Sequence, residues 1–302
     1  MSTGILKGGE FVNRYVIEGV LTTKSPFHLG NGTTLPPNRV TKKNAEGKEE
    51  SVDVTEVDVD FNGKPRIPGS SLRGALRSYL LGVFESISRE LAFEDKYEKL
   101  IKDIPKQEDQ IIHARTKFSH LERLFGTPFA ESKIEVRDAS CSTSPAAPML
   151  GDGRHAPYWD GTRLTYVETG VAIDPKTRTA LDEKLYHFEA VPPGVSFRLA
   201  ISGQNLSDLE LGMLLFGLDG FNSEIWPLTL GSMSGAGFGR FEFKRGKIRL
   251  LKASDLKEWV KKAVDSPKAG YDAIEPLPKE DADALVESFK RVLKEALEGG
   301  GK

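Results

Sequence analysis

Three periodicities succeed one another along the chain, and each marks a kind of element. Arg14 to Thr23 (Arg-Tyr-Val-Ile-Glu-Gly-Val-Leu-Thr-Thr) is rich in β-branched and aromatic residues and predicts a first strand. Ser51 to Asp60 alternates, with Val52 and Val54, then Val57 and Val59, set between acids; Asn62-Gly63 follows as a hairpin signal. The apolar spacing then becomes helical, placing Leu72, Leu76, Leu80, Val83, Ile87 and Leu91 on one face. Leu121 to Gly126 reads as a helix closing at a glycine C-cap, and Ile134 to Cys141 alternates like a strand. Leu164 to Asp174 and Pro175 to Thr179 predict a protruding β-hairpin with Lys176 and Arg178 at its tip. Strands are expected near Tyr186 to Ala190, over Val195 to Ser202 and over Phe241 to Lys244. Leu209 to Leu218, apolar nearly all round, predicts a buried helix between them. After a short helix around Trp259 comes an amphipathic one with Leu285, Phe289, Val292, Leu293 and Leu297, expected to dock on the body or on a neighbouring subunit. Residues 299–301 should fray. The polar segments 33–50 and 142–162 predict loops, the first of them mobile, and 93–120 offers no clear motif.

Composition narrows this picture. With 302 residues, 38% hydrophobic and 28% charged, the chain can bury a sizeable core. No run of about 18 apolar residues would span a membrane, and the N-terminus lacks a signal-peptide core, so a cytoplasmic protein is expected. Cys141 is the only cysteine, which excludes an internal disulfide and any multi-cysteine zinc site. A net charge of −2 gives no global footprint for nucleic acid, so any such binding must use a local surface.

Two stretches offer such a surface. Ile67-Pro-Gly-Ser-Ser-Leu-Arg-Gly-Ala-Leu-Arg77 opens the long helix: Ser70 or Ser71 is a good N-cap, and Arg73 and Arg77 share a face. Gly69, the two hydroxyls, the guanidinium groups and the positive end of the helix dipole make a phosphate-binding end. The plain alternative is a capped helix with two solvated arginines. Leu230-Gly-Ser-Met-Ser-Gly-Ala-Gly-Phe-Gly-Arg240 is the second. Its glycines, Gly235 and Gly237 among them, let backbone N–H groups approach a ligand, although such a loop can also merely turn the chain. It lacks the Gly-Lys-Ser/Thr ending of a P-loop, and it precedes a strand, unlike a dinucleotide fingerprint. His28, beside Pro26 and Gly30, is a candidate acid–base group, a structural residue or a contact to a ligand backbone. Asp53, Glu56, Asp58 and Asp60 suit a hard metal or proton transfer, or form the wet face of a ribbon. The tip residues Lys176 and Arg178 suit a phosphate backbone or plain solvation. A carbohydrate- or metal-binding β-rich protein would account for the acids but leave both cradles without a role.

Taken in order, these features carry a resemblance. A strand ending in His28-Leu-Gly30, the Ile67–Arg77 motif, Arg123-Leu-Phe-Gly126, Ile173-Asp-Pro-Lys-Thr177, Glu189 before Pro192-Pro-Gly194, and Gly235-Ala-Gly-Phe-Gly-Arg240 resemble the RAMP superfamily of CRISPR-associated proteins. The similarity is greatest to the backbone subunit of type III (Csm/Cmr) effector complexes. It implies an α+β fold: a ferredoxin-like (RRM-like) domain over 14–250 and a helical extension over 251–302. The insertions are an acidic loop and hairpin at 33–66, a helical one at 93–130 and a thumb hairpin at 150–190. The resemblance implies copies of the subunit arrayed along a CRISPR RNA beside other subunits, each thumb kinking the guide–target duplex. It places Ser70, Ser71, Arg73, Arg77, Gly235, Gly237 and Arg240 along the guide, with His28, Gly69, Lys176 and Arg178 as further RNA-binding candidates. It also implies cleavage of target RNA by 2′-OH attack, with a divalent metal (Mg2+ or Mn2+) and an aspartate ahead of the Ile-Pro-Gly motif. The family register falls on Asp53. Thr55 stands where the family usually has proline, which leaves Asp58 as the alternative. A non-catalytic guide-binding or capping subunit is the competing expectation.

Overall fold

Strands far apart in sequence meet in one sheet, and the alternation along the first of them shows why. A computed structural model describes residues 11–36, 40–43, 46–92, 102–143, 147–148, 155–173, 176–177, 179–266, 270, 272 and 274–299. In chain order the strands are β1 (Asn13–Thr23), β2 (Gly30–Thr34), β3 (Thr41–Lys43), β4 (Glu49–Ser51), β5 (Val54–Val57) and β6 (Arg66–Ile67). They continue as β7 (Ile134–Val136), β8 (Ala139–Cys141), β9 (Tyr166–Ile173), β10 (Ala180–Ala190), β11 (Ser196–Gln204) and β12 (Phe241–Lys252). The helices are α1 (Gly69–Phe84), α2 (Gln107–Lys117), α3 (His120–Phe125), α4 (Asp208–Asp219), α5 (Leu256–Asp265) and α6 (Lys279–Gly299).

In β1, Tyr15, Ile17, Leu21 and Thr23 are buried, while Arg14, Val16, Glu18, Val20 and Thr22 stay partly exposed. That period of two gives the sheet one core face and one open face. The order is β12-β1-β11-β8-β6, with β7 also on β11, and β1 lies antiparallel to both β11 and β12. The path β1–α1–β7/β8–β11–α4–β12 is therefore βαββαβ, the ferredoxin-like arrangement within an α+β fold. The core stripe of α1 is Leu72, Leu76, Leu80 and Phe84. Helix α4 is buried on nearly every side because α6 covers what the sheet leaves: Phe289 is buried, with its ring 5.6 Å from Phe216 and 5.5 Å from Phe84. The C-terminal amphipathic helix thus docks on the body. No described helix is long and apolar enough to cross a membrane.

A second sheet, β2-β5-β10-β9, joins two segments inserted into this path. β9 and β10 form an antiparallel hairpin, and β5 runs parallel to β10, pairing Val54 with His187 and Thr55 with Phe188.

Three expectations change. Helix α1 stops at Phe84, so Ile87 and Leu91 lie beyond it: the spacing of four from Leu72 leads to Phe84, and Ser86 and Ser88 then flank a turn. Its N-cap is Pro68, not Ser70 or Ser71, and no side chain of its own segment caps it. The stretch expected to be a mobile loop carries the end of β2 and a β3–β4 hairpin, whose register sets Lys42 opposite Glu50 and Lys43 opposite Glu49. Opposite charges across a strand pair favour that register.

Gly69 is fixed by packing. A Cβ there would lie 2.0 Å from the Val136 carbonyl oxygen, where helix α1 begins against β7. Gly69→Ala is expected to destabilise the protein by about 2–3 kcal/mol, the cost of overpacking against backbone. Chemical denaturation of the two proteins measures the difference, and equal midpoints would refute it.

Candidate nucleic-acid interface

The glycine loop stands on an aromatic base. Phe27, Phe197, Phe221 and Phe241 are buried together, with Phe27 and Phe241 5.0 Å apart edge to face. Above them Gly231 and Gly239 take positive φ (81° and 75°), and a Cβ would fall 2.2 Å from the His28 carbonyl oxygen and 2.0 Å from that of Leu230. These two glycines hold the loop shut. At Gly235 and Gly237, in contrast, nothing lies within 4 Å of an added Cβ, so the tip is open.

Met233 is left-handed although it is not glycine (φ 63°), a costly backbone state that surrounding structure must enforce. Its side chain, with Phe238, packs against the cluster of Ala156, Tyr166, Phe188 and Ala190. The N–H groups of Met233, Ser234 and Gly235 find no acceptor among the described residues. Three consecutive unpaired amides at an exposed turn form a ready anion concavity. Beside them the Arg240 guanidinium donates to Glu224 Oε2 (2.8 Å), and Lys24 Nζ to Glu224 Oε1 (3.2 Å). The hydrogen bonds from Lys24 and Arg240 hold the Glu224 carboxyl below the usual carboxylate range.

The opening of α1 is less vacant than its sequence implies. The Gly69 N–H donates to Asp138 Oδ1 at 2.8 Å, so a carboxylate already sits at the helix N-terminus. The Ser71 and Leu72 N–H groups turn back to the Pro68 carbonyl. Arg73 points inward: its guanidinium donates to the Phe125 carbonyl at the end of α3 and lies 5.9 Å from the Phe125 ring centroid. Burial, and then the Arg77 charge, lower its pKa. What remains outward is the exposed Ser70, with its N–H and hydroxyl unpartnered among the described residues, the Ser71 hydroxyl and the half-buried Arg77.

A ladder of hydrogen bonds joins the two features. Ser232 N–H donates to the His28 carbonyl, Asp58 N–H to that of Leu29, and Arg66 N–H to that of Asp58. Arg66 then binds Asp58 Oδ1 through Nε (2.7 Å) and Asp138 Oδ2 through Nη1 (2.9 Å), and Asp138 holds Gly69. The loop and the helix opening are two ends of one hydrogen-bonded ridge.

That ridge sorts the acids. Asp58 is 16% exposed at its side chain and committed to Arg66, and Asp60 accepts the N–H groups of Asn62 and Lys64 to close a turn. Glu56 accepts from Asn31 Nδ2 (2.8 Å). Asp53 alone of the four is exposed and makes no hydrogen bond or ion pair among the described residues. Among those residues no three His, Cys, Asp or Glu side chains are grouped to hold a metal ion, so the chain supplies no metal cage of its own there. His28 is built into the strand junction: it is buried, its Nδ1 lies 2.6 Å from the Glu189 carbonyl oxygen, and its ring meets Phe188 edge to face. Burial lowers its pKa despite Glu189. Lys176 is exposed in the turn between β9 and β10, and Arg178 lies outside the described residues.

Sequence reasoning named Glu189, the hub of this region, only as a marker of the resemblance and gave it no role. Buried Glu189 accepts from Arg163 Nε (2.8 Å) and Nη2 (2.7 Å), from Thr165 Oγ1 (2.8 Å) and from the Val57 N–H (3.1 Å). Burial works against the Arg163 charge, and the hydrogen bonds and charge of Glu189, with Glu56, outweigh it and raise the guanidinium pKa. The local sequence signal of Glu189 is an acid set between Phe188 and Ala190, both of them buried.

A family model described as the RAMP superfamily matches residues 20–242, well over half of the chain. No curated protein matches it.

Proposed function

The chain belongs to the RAMP superfamily, CRISPR-associated and RNA-binding, and from that premise we propose that it is the backbone subunit of a type III effector complex. In this reading it holds CRISPR RNA, arrays with copies of itself and other subunits, and cleaves guide-paired target RNA. The observation that carries the reading is the ridge linking the glycine loop to the start of α1. A sugar–phosphate strand laid along it meets the Met233–Gly235 amides, Gly237, Ser70, Ser71 and Arg77. Arg240 exchanges Glu224 for a phosphate. Donors of this kind carry little net charge, which reconciles RNA binding with a chain of net charge −2. The β9–β10 hairpin, with Lys176 and Arg178 between its strands, serves as the thumb against the duplex.

Cleavage follows from a kinked target strand. The 2′-oxygen attacks the adjacent phosphorus in line, the P–O5′ bond breaks, and a 2′,3′-cyclic phosphate and a 5′-hydroxyl result. Asp53 accepts the 2′-OH proton or fixes its geometry. A divalent ion would add charge stabilisation at the phosphate. The described carboxylates do not assemble a site for it, and no step is assigned to it. A non-catalytic guide-holding or capping subunit is the second reading, favoured by the lack, among the described residues, of an acid cluster grouped to hold a metal ion.

Binding is tested at the loop tip. Purified protein is expected to carry RNA of defined length, visible as excess absorbance at 260 nm and on a gel. Because a side chain fits at Gly235, Gly235→Asp leaves the fold intact and sets a carboxylate among the phosphate-binding amides. The variant is expected to lose RNA at least tenfold. Parent protein free of RNA, with equal affinity of both proteins for added RNA, would overturn the reading.

A further inference from the structure

The open face of the main sheet raises a question that the ridge does not answer. Its outward positions on β1, β11 and β12, such as Val16, Val20, Arg198 and Lys244, carry no aromatic ring. Sheets of this topology that read RNA bases commonly stack them on such rings. A place for a base must be sought elsewhere.

A cavity of about 340 Å³ lies between the inserted segment around β2–β5 and the turn before β9, walled by Leu35, Val40, Tyr158, Trp159, Gly161 and Val167, with the acids Asp160 and Glu189 also in its lining. We propose that it is a slot for one nucleobase of single-stranded RNA, with Trp159 as the stacking face. The inference rests on the RNA-binding reading above and deepens it.

Size is the first argument. The volume falls at the small end of ligand pockets, about 300–1,000 Å³, enough for a base and its sugar but not for a helix or a peptide strand. Chemistry is the second. Leu35, Val40 and Val167 are buried and apolar, and the half-buried Trp159 adds the aromatic surface. Its indole N–H has no acceptor among the described residues. Nε1 lies 3.6 Å from where a Cβ on Gly161 would stand, so the missing side chain leaves room at the donor edge. The two acids in the lining are held internally, Asp160 by the Thr162 and Arg163 N–H groups and Glu189 by Arg163 and Thr165, so the indole N–H is the unspent donor for a heterocycle's carbonyl or ring-nitrogen acceptor.

Rigidity is the third. Tyr158 and Leu164, both bulky, are left-handed (φ 52° and 55°) and bracket the turn, an unfavourable state that clusters at functional sites. Asp160 Oδ1 accepts the N–H groups of Thr162 and Arg163, and Arg163 is locked on Glu189. The Tyr158 hydroxyl donates to the Thr41 carbonyl at 2.7 Å, tying the β3–β4 hairpin to the same turn. The slot is preorganised. Continuity is the fourth. Trp159 packs on the cluster that also seats Met233 and Phe238 of the glycine loop, and Val54, next in chain to Asp53, packs with Leu35, Val40 and Val167. A strand held by the loop amides and presented to Asp53 therefore passes the slot.

The test uses the full chain with Trp226→Phe and Trp259→Phe, which leaves Trp159 as the sole tryptophan. The probes are a mixed-sequence single-stranded RNA oligomer and the same oligomer made abasic. Fluorescence anisotropy of a labelled strand reports binding, and tryptophan emission reports stacking. The RNA is expected to quench Trp159, and the abasic strand to bind without quenching. Trp159→Ala in the otherwise native chain is expected to weaken RNA binding about 5- to 100-fold, with Trp159→Phe keeping most of the affinity. Binding with no quenching, or Trp159→Ala binding like the parent, overturns the slot and leaves the RNA reading standing. Absence of any binding by anisotropy overturns both.

Discussion

Asp53→Ala in the assembled complex is expected to lower target cleavage about 10²- to 10⁴-fold while guide and target RNA remain bound, the usual loss when a proton-transfer group is removed. The expectation rests on how the structure divides the acids. Asp53 is exposed and has no partner among the described residues, so its removal should change stability by no more than about 0.5 kcal/mol. Asp58 behaves oppositely. It anchors Arg66, which in turn holds Asp138 at the start of α1. Asp58→Ala should therefore cost about 1 kcal/mol, a charged hydrogen bond discounted for a partner that is 37% exposed, and leave cleavage per folded complex unchanged. Asp53→Asn separates proton transfer from positioning: a base loses as much with Asn as with Ala, whereas a positioning group keeps part of its effect. Products resolved on a gel, with their cyclic-phosphate ends assayed, give the readout. Cleavage at every site by the Asp53→Ala complex at the parent rate would eliminate the nuclease assignment.

Much of the ferredoxin-like domain was legible because its signals are local. β1 declares itself by alternation, α4 by being apolar all round, and α3 by Gly126, which closes it at φ 79°. Two signals lay unused in the sequence: Ser119-His-Leu-Glu122 and Ser207-Asp-Leu-Glu210 are capping boxes, and both start helices. The first would have fixed the start of α3, whose end Gly126 already marks. The 33–50 segment misled for a related reason. Its lysines and glutamates read as solvation, yet set across from one another they pair two strands.

The interface was less legible, since it depends on contacts no local pattern encodes. That Asp138 caps a helix 69 residues earlier could not be read from Ile67–Arg77, so the helix opening looked emptier than it is. Arg73 looked like a phosphate ligand because its spacing to Arg77 is visible and the Phe125 carbonyl that takes it is not. The parallel pairing of β5 with β10 joins segments more than 130 residues apart, and it turns an acidic ribbon and a hairpin into one sheet. The cations near the ridge are largely matched by acids: Arg66 by Asp58 and Asp138, Arg240 and Lys24 by Glu224. Backbone amides, which a charge count ignores, are what the loop leaves unpaired.

The largest stability effect is expected at that shared sheet. Glu189→Ala should destabilise the protein by about 3–5 kcal/mol, because it strands a buried guanidinium. Arg163 is 11% exposed and Glu189 3%, so solvent cannot replace the lost partner. The same substitution orphans the Val57 N–H on β5 and the Thr165 hydroxyl, loosening the strand that follows Asp53 and the root of the hairpin together. For a chain of this size the melting temperature should fall on the order of 10 °C. Hydrogen exchange should show where the loss is felt, with β5, β9 and β10 losing protection before β1 and β11. Arg163→Met combined with Glu189→Leu removes both charges and should recover the share owed to the stranded guanidinium, leaving the cost of the unpaired Val57 N–H and Thr165 hydroxyl, about 1–3 kcal/mol each at most. A single Glu189→Ala variant that melts within a degree of the parent would mean that the hairpin and β5 are held by their apolar contacts alone. Because Asp53 immediately precedes β5, Glu189→Ala should also slow cleavage in the folded complex, and it should weaken guide binding at the glycine loop less, since that loop is bonded to Pro26 and His28 and rests on the phenylalanine cluster as well as on β9 and β10.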